Sequence, residues 1–520
     1  MFNGSETTSI FFIILIIVGF AVWGYNRAKA YGKLGTLAWL QSIVLIVPWL
    51  VFLVSFALGI YLNLVAILFL IVASTIAYIS VGNRLRIENQ EKILRQRAAD
   101  AIEKDKQVNK NLDPIDSESK IIETEAEAET PQSSERGGDR NKLAPEILPI
   151  QEEDLQIIKS IFGIDTFFAT ETISYQEGAI FKGNLRGEAE ATHARLTEKL
   201  KAALGDKYRL FLVESPEAKP VVIVLPASND PQPSTLAQKN FALVLFVATI
   251  VTGLETAGLL LGFDLFTNFD RYPETVPISL GLWTILIAHE IGHRFAAGKY
   301  NIRLSLPYFI PSLQIGTFGA ITRFESLIPN RTALFDVAIA GPAWGAIVSL
   351  LMLVFGLIIS SPGSNFQIET QFFQTSILVG SIARIFLGSQ MSQTLVAISP
   401  LVVIGWLGLA ISALNLMPAG QLDGGRIVQA IYGRKIARRT TIATLIVLAI
   451  VAIANPGNAI ALYWGILILF LQRDLERPSL NELSEPNDTR AVWGLVALFL
   501  MLATLIPFTP TLAARLGIGG

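Results

Sequence analysis

Long apolar runs almost free of charge recur along this chain, and they constrain its fold more than any other feature. About 20 apolar residues cross a bilayer as a helix, and lipid offers the backbone N–H and C=O groups no partner outside that helix. Such runs lie near 9–25, 36–58, 61–81, 240–262, 276–297, 333–359, 397–416 and 491–508. The stretch 440–472 is also apolar, but "NPGN" at 455–458 divides it. Its halves, of about 15 residues, are too short for a full crossing and read as two short spans or a hairpin. Hydrophobic residues make up 52% of the 520 positions and charged residues 16%. The expected fold is therefore a mostly α, polytopic membrane protein with about 8–11 transmembrane helices. A net charge of −2 with no basic tract argues against a nucleic-acid partner. The absence of cysteine excludes disulfides, cysteine-ligated metals and a thiol nucleophile.

Between the first three spans and the rest lies a polar region. Residues 1–82 form the N-terminal membrane part; "MFNGSETT" lacks the basic start of a signal peptide and no Arg/Ser-rich transit sequence follows, which gives a bacterial look. Residues 83–149 begin with a basic helix (84–97) and continue as an acidic, Pro- and Gly-broken segment (113–142) too polar to order itself. At 150–238 apolar residues return at structured spacing: helices over 153–163 and 188–204, strands over 207–214 and 219–226, a small soluble α+β domain. "GNLRG" (183–187) reads as a surface hairpin there. Residues 239–520 form the second membrane part. Basic residues Arg27, Lys29, Lys33, Arg84 and Arg86, then Arg294, Lys299, Arg303 and the run 433–439, place the soluble domain inside and both termini on the far side.

Within the span at 276–297 stands "HEIGH". On a helix, His289 and His293 share one face, about 40° apart, where two imidazoles can bind one metal ion. Glu290 is next to the first and can reach water beside that ion. With histidine at three positions in the whole chain, chance gives this pattern on the order of once in a thousand such chains. Ionisable groups inside a span are costly and face an interior cavity with a partner. The third histidine, His193, sits with Leu196 and Leu200 at helical spacing and is read as packing. A third zinc ligand is then a carboxylate, and Asp423 in "ALNLMPAGQLDGGR" (413–426) is the candidate. Pro418 and Gly420 end the preceding helix, and Gly424 and Gly425 let the chain turn beside the acid. The bland alternative is a membrane-exit turn with Asp423 capping the next helix.

HEIGH together with "NLMPAGQLDGG" (415–425) resembles the site-2 protease family of intramembrane zinc metalloproteases, whose late motif matches at Asn415, Pro418, Leu422, Asp423 and Gly424. "FKGNLRG" (181–187), "PSLQIGTFGAITRFES" (311–326) and "AGPAWG" (340–345) resemble its EGY branch of plastids and cyanobacteria. The resemblance runs from about residue 160 to the C-terminus; some EGY relatives lack the zinc motif, which this chain keeps whole. It implies one zinc ion per chain on His289, His293 and Asp423, with Glu290 as catalytic base. For Asn415 it implies substrate positioning or oxyanion stabilisation, beside the plain alternative of capping a broken helix.

The apolar stretch 304–326 is interrupted by two prolines and two glycines and makes a poor helix. It resembles the family's re-entrant β-hairpin near the active site, with Gly316, Phe318 and Gly319 as candidates for contact with an unwound substrate strand. Gly341 and Gly345 read as a close helix contact. The function expected is a zinc-dependent intramembrane endopeptidase. Its partners would be a transmembrane protein substrate and the lipid bilayer, in the plasma or thylakoid membrane of a cyanobacterium-like cell. Two alternatives stand beside it: a non-proteolytic membrane scaffold or chaperone of the same fold, and a prenyl-protein protease, against which the LDGG motif counts.

Overall fold

The computed structural model describes residues 150–519 apart from 176, 216, 218, 362–365, 456–459 and 473; of the first 149 residues it describes 19, 22–29, 32–57 and isolated positions from 70 to 85. The expected span at 9–25, that at 61–81 and the segment 83–149 lie wholly or largely outside the described residues. The chain divides into two compact units, one formed by 16–55 and 61–148, the other by 149–520 with two short N-terminal pieces. In the first unit the described element is helix α1 (Gly32–Ala57), which covers the expected span at 36–58.

The second unit begins with an α+β region. Helix α2 (Glu152–Ser160) precedes strands β1 (Phe167–Tyr175) and β2 (Gly178–Leu185), helix α3 (Ala189–Leu204), and strands β3 (Tyr208–Glu214) and β4 (Pro220–Pro226). All pairings are antiparallel in the order β1-β2-β4-β3. The alternation that marks β3 in the sequence is real: Tyr208, Leu210 and Leu212 point into a core with Ile158, Phe167, Phe181, Leu196, Leu200, Val222 and Val224. GNLRG is not a hairpin turn. Residues 183–185 end strand β2, and the β1–β2 pairing closes several residues earlier, at Tyr175 opposite Gly178. Gly183 sits opposite a bulge between Ala169 and Glu171, where a Cβ would lie 2.1 Å from the Phe168 carbonyl oxygen.

The outer edge of β3 is taken by a distant segment. The Leu212 N–H donates to Leu480 O (2.8 Å) and Glu482 N–H donates to Leu212 O (2.9 Å). The same segment bonds on its other side to the chain at 328–329, through Leu480 N–H to Ile328 O (2.8 Å) and Asn481 N–H to Pro329 O (3.0 Å). An exposed strand edge is thereby closed.

The remaining elements are α4 (Leu236–Leu260), α5 (Tyr272–Lys299), β5 (Tyr308–Ser312), β6 (Gly316–Ile321), α6 (Arg331–Ile359), β7 (Gln367–Glu369), α7 (Ile377–Leu387), β8 (Leu395–Ala397), α8 (Pro400–Asn415), α9 (Asp423–Ala454), α10 (Ile460–Leu467), α11 (Asp488–Leu505) and α12 (Pro510–Arg515). Five helices among the described residues are long and apolar enough to cross a membrane: α4, α5 with its preceding turn, α6, α9 and α11. This is a mostly helical polytopic membrane fold. Helix starts follow the chemistry of their unpaired N–H groups: Thr235 and Gln238 form a capping box before α4, and the Asn330 side chain accepts from Ala333 N–H at α6. β5 and β6 form the antiparallel hairpin expected between 304 and 326.

The stretch 440–472 differs from expectation. Its first part belongs to α9, which starts at Asp423 and is interrupted at Gly433 (φ 79°), the first residue of the 433–439 run. Arg331 takes the carbonyls left open before that break, donating from Nε to Ala430 O (2.7 Å) and from Nη2 to Ile431 O (2.7 Å). The charged residues 434–439 extend the apolar half into a piece long enough for a crossing, which hydropathy alone conceals. The second part, α10, runs on as a π-helical turn, Ile468–Gln472.

Candidate metal centre

Helix α5 carries His289 and His293 one turn apart, and the turn between α8 and α9 brings Asp423 to them. All three are buried, with relative exposures of 5%, 3% and 6%. The two Nε2 atoms lie 3.1 Å apart. Asp423 Oδ2 is 3.5 Å from His289 Nε2 and 3.4 Å from His293 Nε2. Two donors on one tetrahedral zinc, at bonds of about 2.0–2.1 Å, stand about 3.3 Å from each other. Three donor atoms at nearly that mutual spacing fit such an ion.

The hydrogen bonding fits it too. His293 Nδ1 lies 2.8 Å from Val337 O, an acceptor, so this nitrogen carries the proton and Nε2 presents its lone pair. The two imidazole nitrogens and the carboxylate are close enough to share one cation. Among the described residues these are the three that could hold a metal ion together. Asp423 is not a helix cap: the N-cap of α9 is Leu422, without a side-chain cap, and the Asp423 side chain is turned to the imidazoles. Close helix approach matters here as well. A Cβ on Gly341 of α6 would lie 2.2 Å from His293 Nε2, so the glycine expected to serve helix packing makes room for the imidazole itself.

Glu290 is buried at 7% exposure and accepts from Thr322 Oγ1, at 3.0 Å to Oε2 and 3.3 Å to Oε1. Thr322 directly follows β6, so the hairpin reaches the carboxylate of α5. Asn415 ends α8, donating from Nδ2 to Ile411 O (3.0 Å) and lying 3.5 Å from Phe318 O. Gly319 (φ 97°) packs against that amide, where a Cβ would come within 2.6 Å of Nδ2. Asn415, Phe318 and Gly319 are thus brought together. The Phe318 ring, however, stacks on Tyr463 (4.9 Å between centroids) and lies tilted against Trp464 (5.4 Å), so the side chain is committed to the core. Gly316 is held elsewhere, its carbonyl accepting from Thr252 Oγ1 of α4 (2.6 Å). His193 stays in the α+β region, against Leu210 O at 3.2 Å.

Arg426 was not singled out in the sequence. It is buried at 4% exposure, with Nη1 at 3.6 Å from Asp423 Oδ1, Nε donating to Glu476 Oε2 (3.1 Å) and Nη2 to Thr322 O (2.9 Å). A basic residue three positions after the acid, inside an otherwise uncharged stretch, was the available signal.

Residues 277–454 match the family model of peptidase family M50, and residues 156–233 match that of the EGY3 middle domain. The chain is 36% identical over 370 residues to "Probable zinc metalloprotease EGY2, chloroplastic" of Arabidopsis thaliana, covering 69% of this chain and 66% of that protein. It is 39% identical over 371 residues to the protein of the same name in Oryza sativa subsp. indica, covering 70% and 68%. It is 34% identical over 422 residues to "Probable zinc metalloprotease EGY1, chloroplastic" of Arabidopsis thaliana, covering 72% and 75%. The chain thus spans about two thirds of the length of the first two relatives. No solved structure matches. The motifs, the membrane helices and these relatives agree: the chain belongs to the M50, or site-2 protease, family of metalloproteases, in its EGY branch.

Proposed function

We propose that this protein is a zinc-dependent intramembrane endopeptidase that hydrolyses peptide bonds within or beside transmembrane helices of membrane-protein substrates. The observation that carries the proposal is the approach of Asp423 to the imidazoles of His289 and His293, with Glu290 on the same helix and all four side chains buried. His289 and His293 would hold zinc through Nε2 and Asp423 through Oδ2, leaving a position for the reacting groups. Zinc bound there would polarise the scissile carbonyl and acidify water. Glu290 accepts the proton of the attacking water on a carboxylate oxygen and delivers it to the amine nitrogen as the C–N bond breaks. The Thr322 hydroxyl orients that carboxylate. The backbone near Phe318 and Gly319 would pair with a locally unwound substrate, and Asn415 fixes that stretch of β6 through its amide. The relatives' names place them in chloroplasts; for this chain a plasma or thylakoid membrane of a cyanobacterium-like cell is proposed by extension.

The test is Glu290→Gln in the full-length chain. The purified wild type should hold about one zinc, by the three-ligand logic, and cleave a transmembrane-helix substrate. The variant should keep the metal and lose cleavage. Equal handling of every substrate by both proteins would reject the protease reading, and unchanged zinc content in Asp423→Ala would reject the ligand set.

A further inference from the structure

The two oxygens of Asp423 face different partners. Oδ2 lies 3.5 and 3.4 Å from the imidazole Nε2 atoms, while Oδ1 lies 3.6 Å from Arg426 Nη1, on the next turn of α9. We propose that Arg426 is the positioning residue for Asp423, holding one carboxylate oxygen away from the metal so that the other serves as a single donor. This rests on the metalloprotease reading above and deepens it.

The guanidinium is itself fixed from every side. Nε and Nη2 reach Glu476 Oε2 at 3.1 and 3.0 Å, Nη2 donates to Thr322 O at 2.9 Å, and the group lies over the Phe324 ring at 4.8 Å from its centroid. A planar fork held by an acid, a carbonyl and an aromatic face has one orientation, and a lysine ammonium cannot reproduce it. Glu476 also offsets the charge, since an unpaired guanidinium in a site this buried would be costly. The consequence concerns coordination. A carboxylate can bind a metal through one oxygen or two, and a catalytic zinc with three protein ligands needs its remaining position for the reacting groups. Were Oδ1 free to swing inward, it would occupy that position. Arg426 Nη1 attracts it outward instead. The same side chain holds the carbonyl of Thr322, whose hydroxyl orients Glu290, so the third ligand and the proton-carrying carboxylate share one support.

The experiment uses the full-length chain in detergent, loaded with zinc or with cobalt(II), whose visible absorption is strong when four-coordinate and weaker when five-coordinate. The double variant Arg426→Met with Glu476→Met removes the whole ion pair, a replacement that buried pairs tolerate. Zinc affinity, by chelator competition, should fall about 10- to 100-fold, the range for loss of a group that orients a ligand, and the cobalt bands should weaken. Arg426→Lys, which keeps the charge without the fork, should move both readings in the same direction, and it decides the matter should the double variant lose its thermal transition. Wild-type affinity and a wild-type cobalt spectrum in a folded variant would overturn the proposal, leaving Arg426 a structural cross-link. A wild type that takes up neither metal, or a His289→Ala variant that binds both unchanged, would instead sink the underlying metal-site reading and the proposal with it.

Discussion

One hydroxyl orients the carboxylate assigned to proton transfer. Thr322→Val keeps the shape of the side chain and removes the donor to Glu290. A hydrogen bond to a charged group contributes about 1.5–3 kcal/mol, so kcat should drop about tenfold or more while bound zinc stays unchanged. Steady-state kinetics together with metal analysis checks this, and an equal loss of both would point to general disruption. Gly341→Ala acts on the metal itself. Its Cβ would lie 2.2 Å from His293 Nε2, in rigid helix contact, so the ring must move and zinc retention should fall at least about tenfold. Gly298→Ala, also on the α5–α6 pair but meeting nothing within 4 Å, should retain zinc normally. These residues also show where sequence legibility ends. His289, Glu290 and His293 were readable because their relation is local to one helix. Asp423 was readable from its turn residues and the family motif. Thr322 and Arg426 were not, because they meet across a separation of 104 positions and neither has a local pattern.

Among the elements, β3 and α3 were legible and β1 and β2 were not. β3 alternates buried and half-buried side chains, whereas β1 buries only its first residue and shows no period of two. The segment at 478–483 carried no strand signal either, since it pairs through a few backbone groups rather than by an apolar face. The Asn481 side chain holds it, accepting from Leu483 and Ser484 N–H (3.1 and 3.2 Å) and donating to Ser484 Oγ (2.7 Å). Asn481→Ala should therefore speed hydrogen exchange at Leu480, Glu482 and Leu212 while sparing β2–β4. A uniform change, or none, would mean the segment is held otherwise. His193 gives the same region a pH dependence. Burial lowers the pKa of its imidazole below the ordinary value, against the smaller upward pull of the hydrogen bond with Leu210 O. The unfolded chain binds a proton as pH falls through about 6.5 and the folded one does not, so stability is full above that pH and declines below it. His193→Gln should flatten this decline between pH 7 and the lowered folded pKa, as read by exchange at α3 amides.

At the scale of the molecule, hydrogen bonds fix which regions lie at the same end of α5. Glu325 N–H donates to Arg303 O (2.8 Å), so the chain after the β5–β6 hairpin lies beside the basic end of α5. A few residues on, Ile328 and Pro329 accept from the 480–481 segment, which pairs with β3. The four-stranded sheet therefore sits on the face of Lys299 and Arg303. The metal-site histidines lie near it, because six residues from His293 to Lys299 rise only about 9 Å along a helix. The turn that opens α5, Phe269–Arg271, must lie on the opposite face if α5 crosses. A chain without cysteine lets this be read directly. Lys201→Cys places a thiol on the exposed side of α3, where the lysine side chain is 69% exposed, and Asp270→Cys places one in the exposed turn before α5. In sealed vesicles an impermeant maleimide should label one variant in right-side-out preparations and the other in inverted ones. By the distribution of basic residues, position 201 should react from the inner side. Labelling of both in the same orientation would mean that α5 does not span the bilayer, and the buried histidines would then need another route to a membrane substrate.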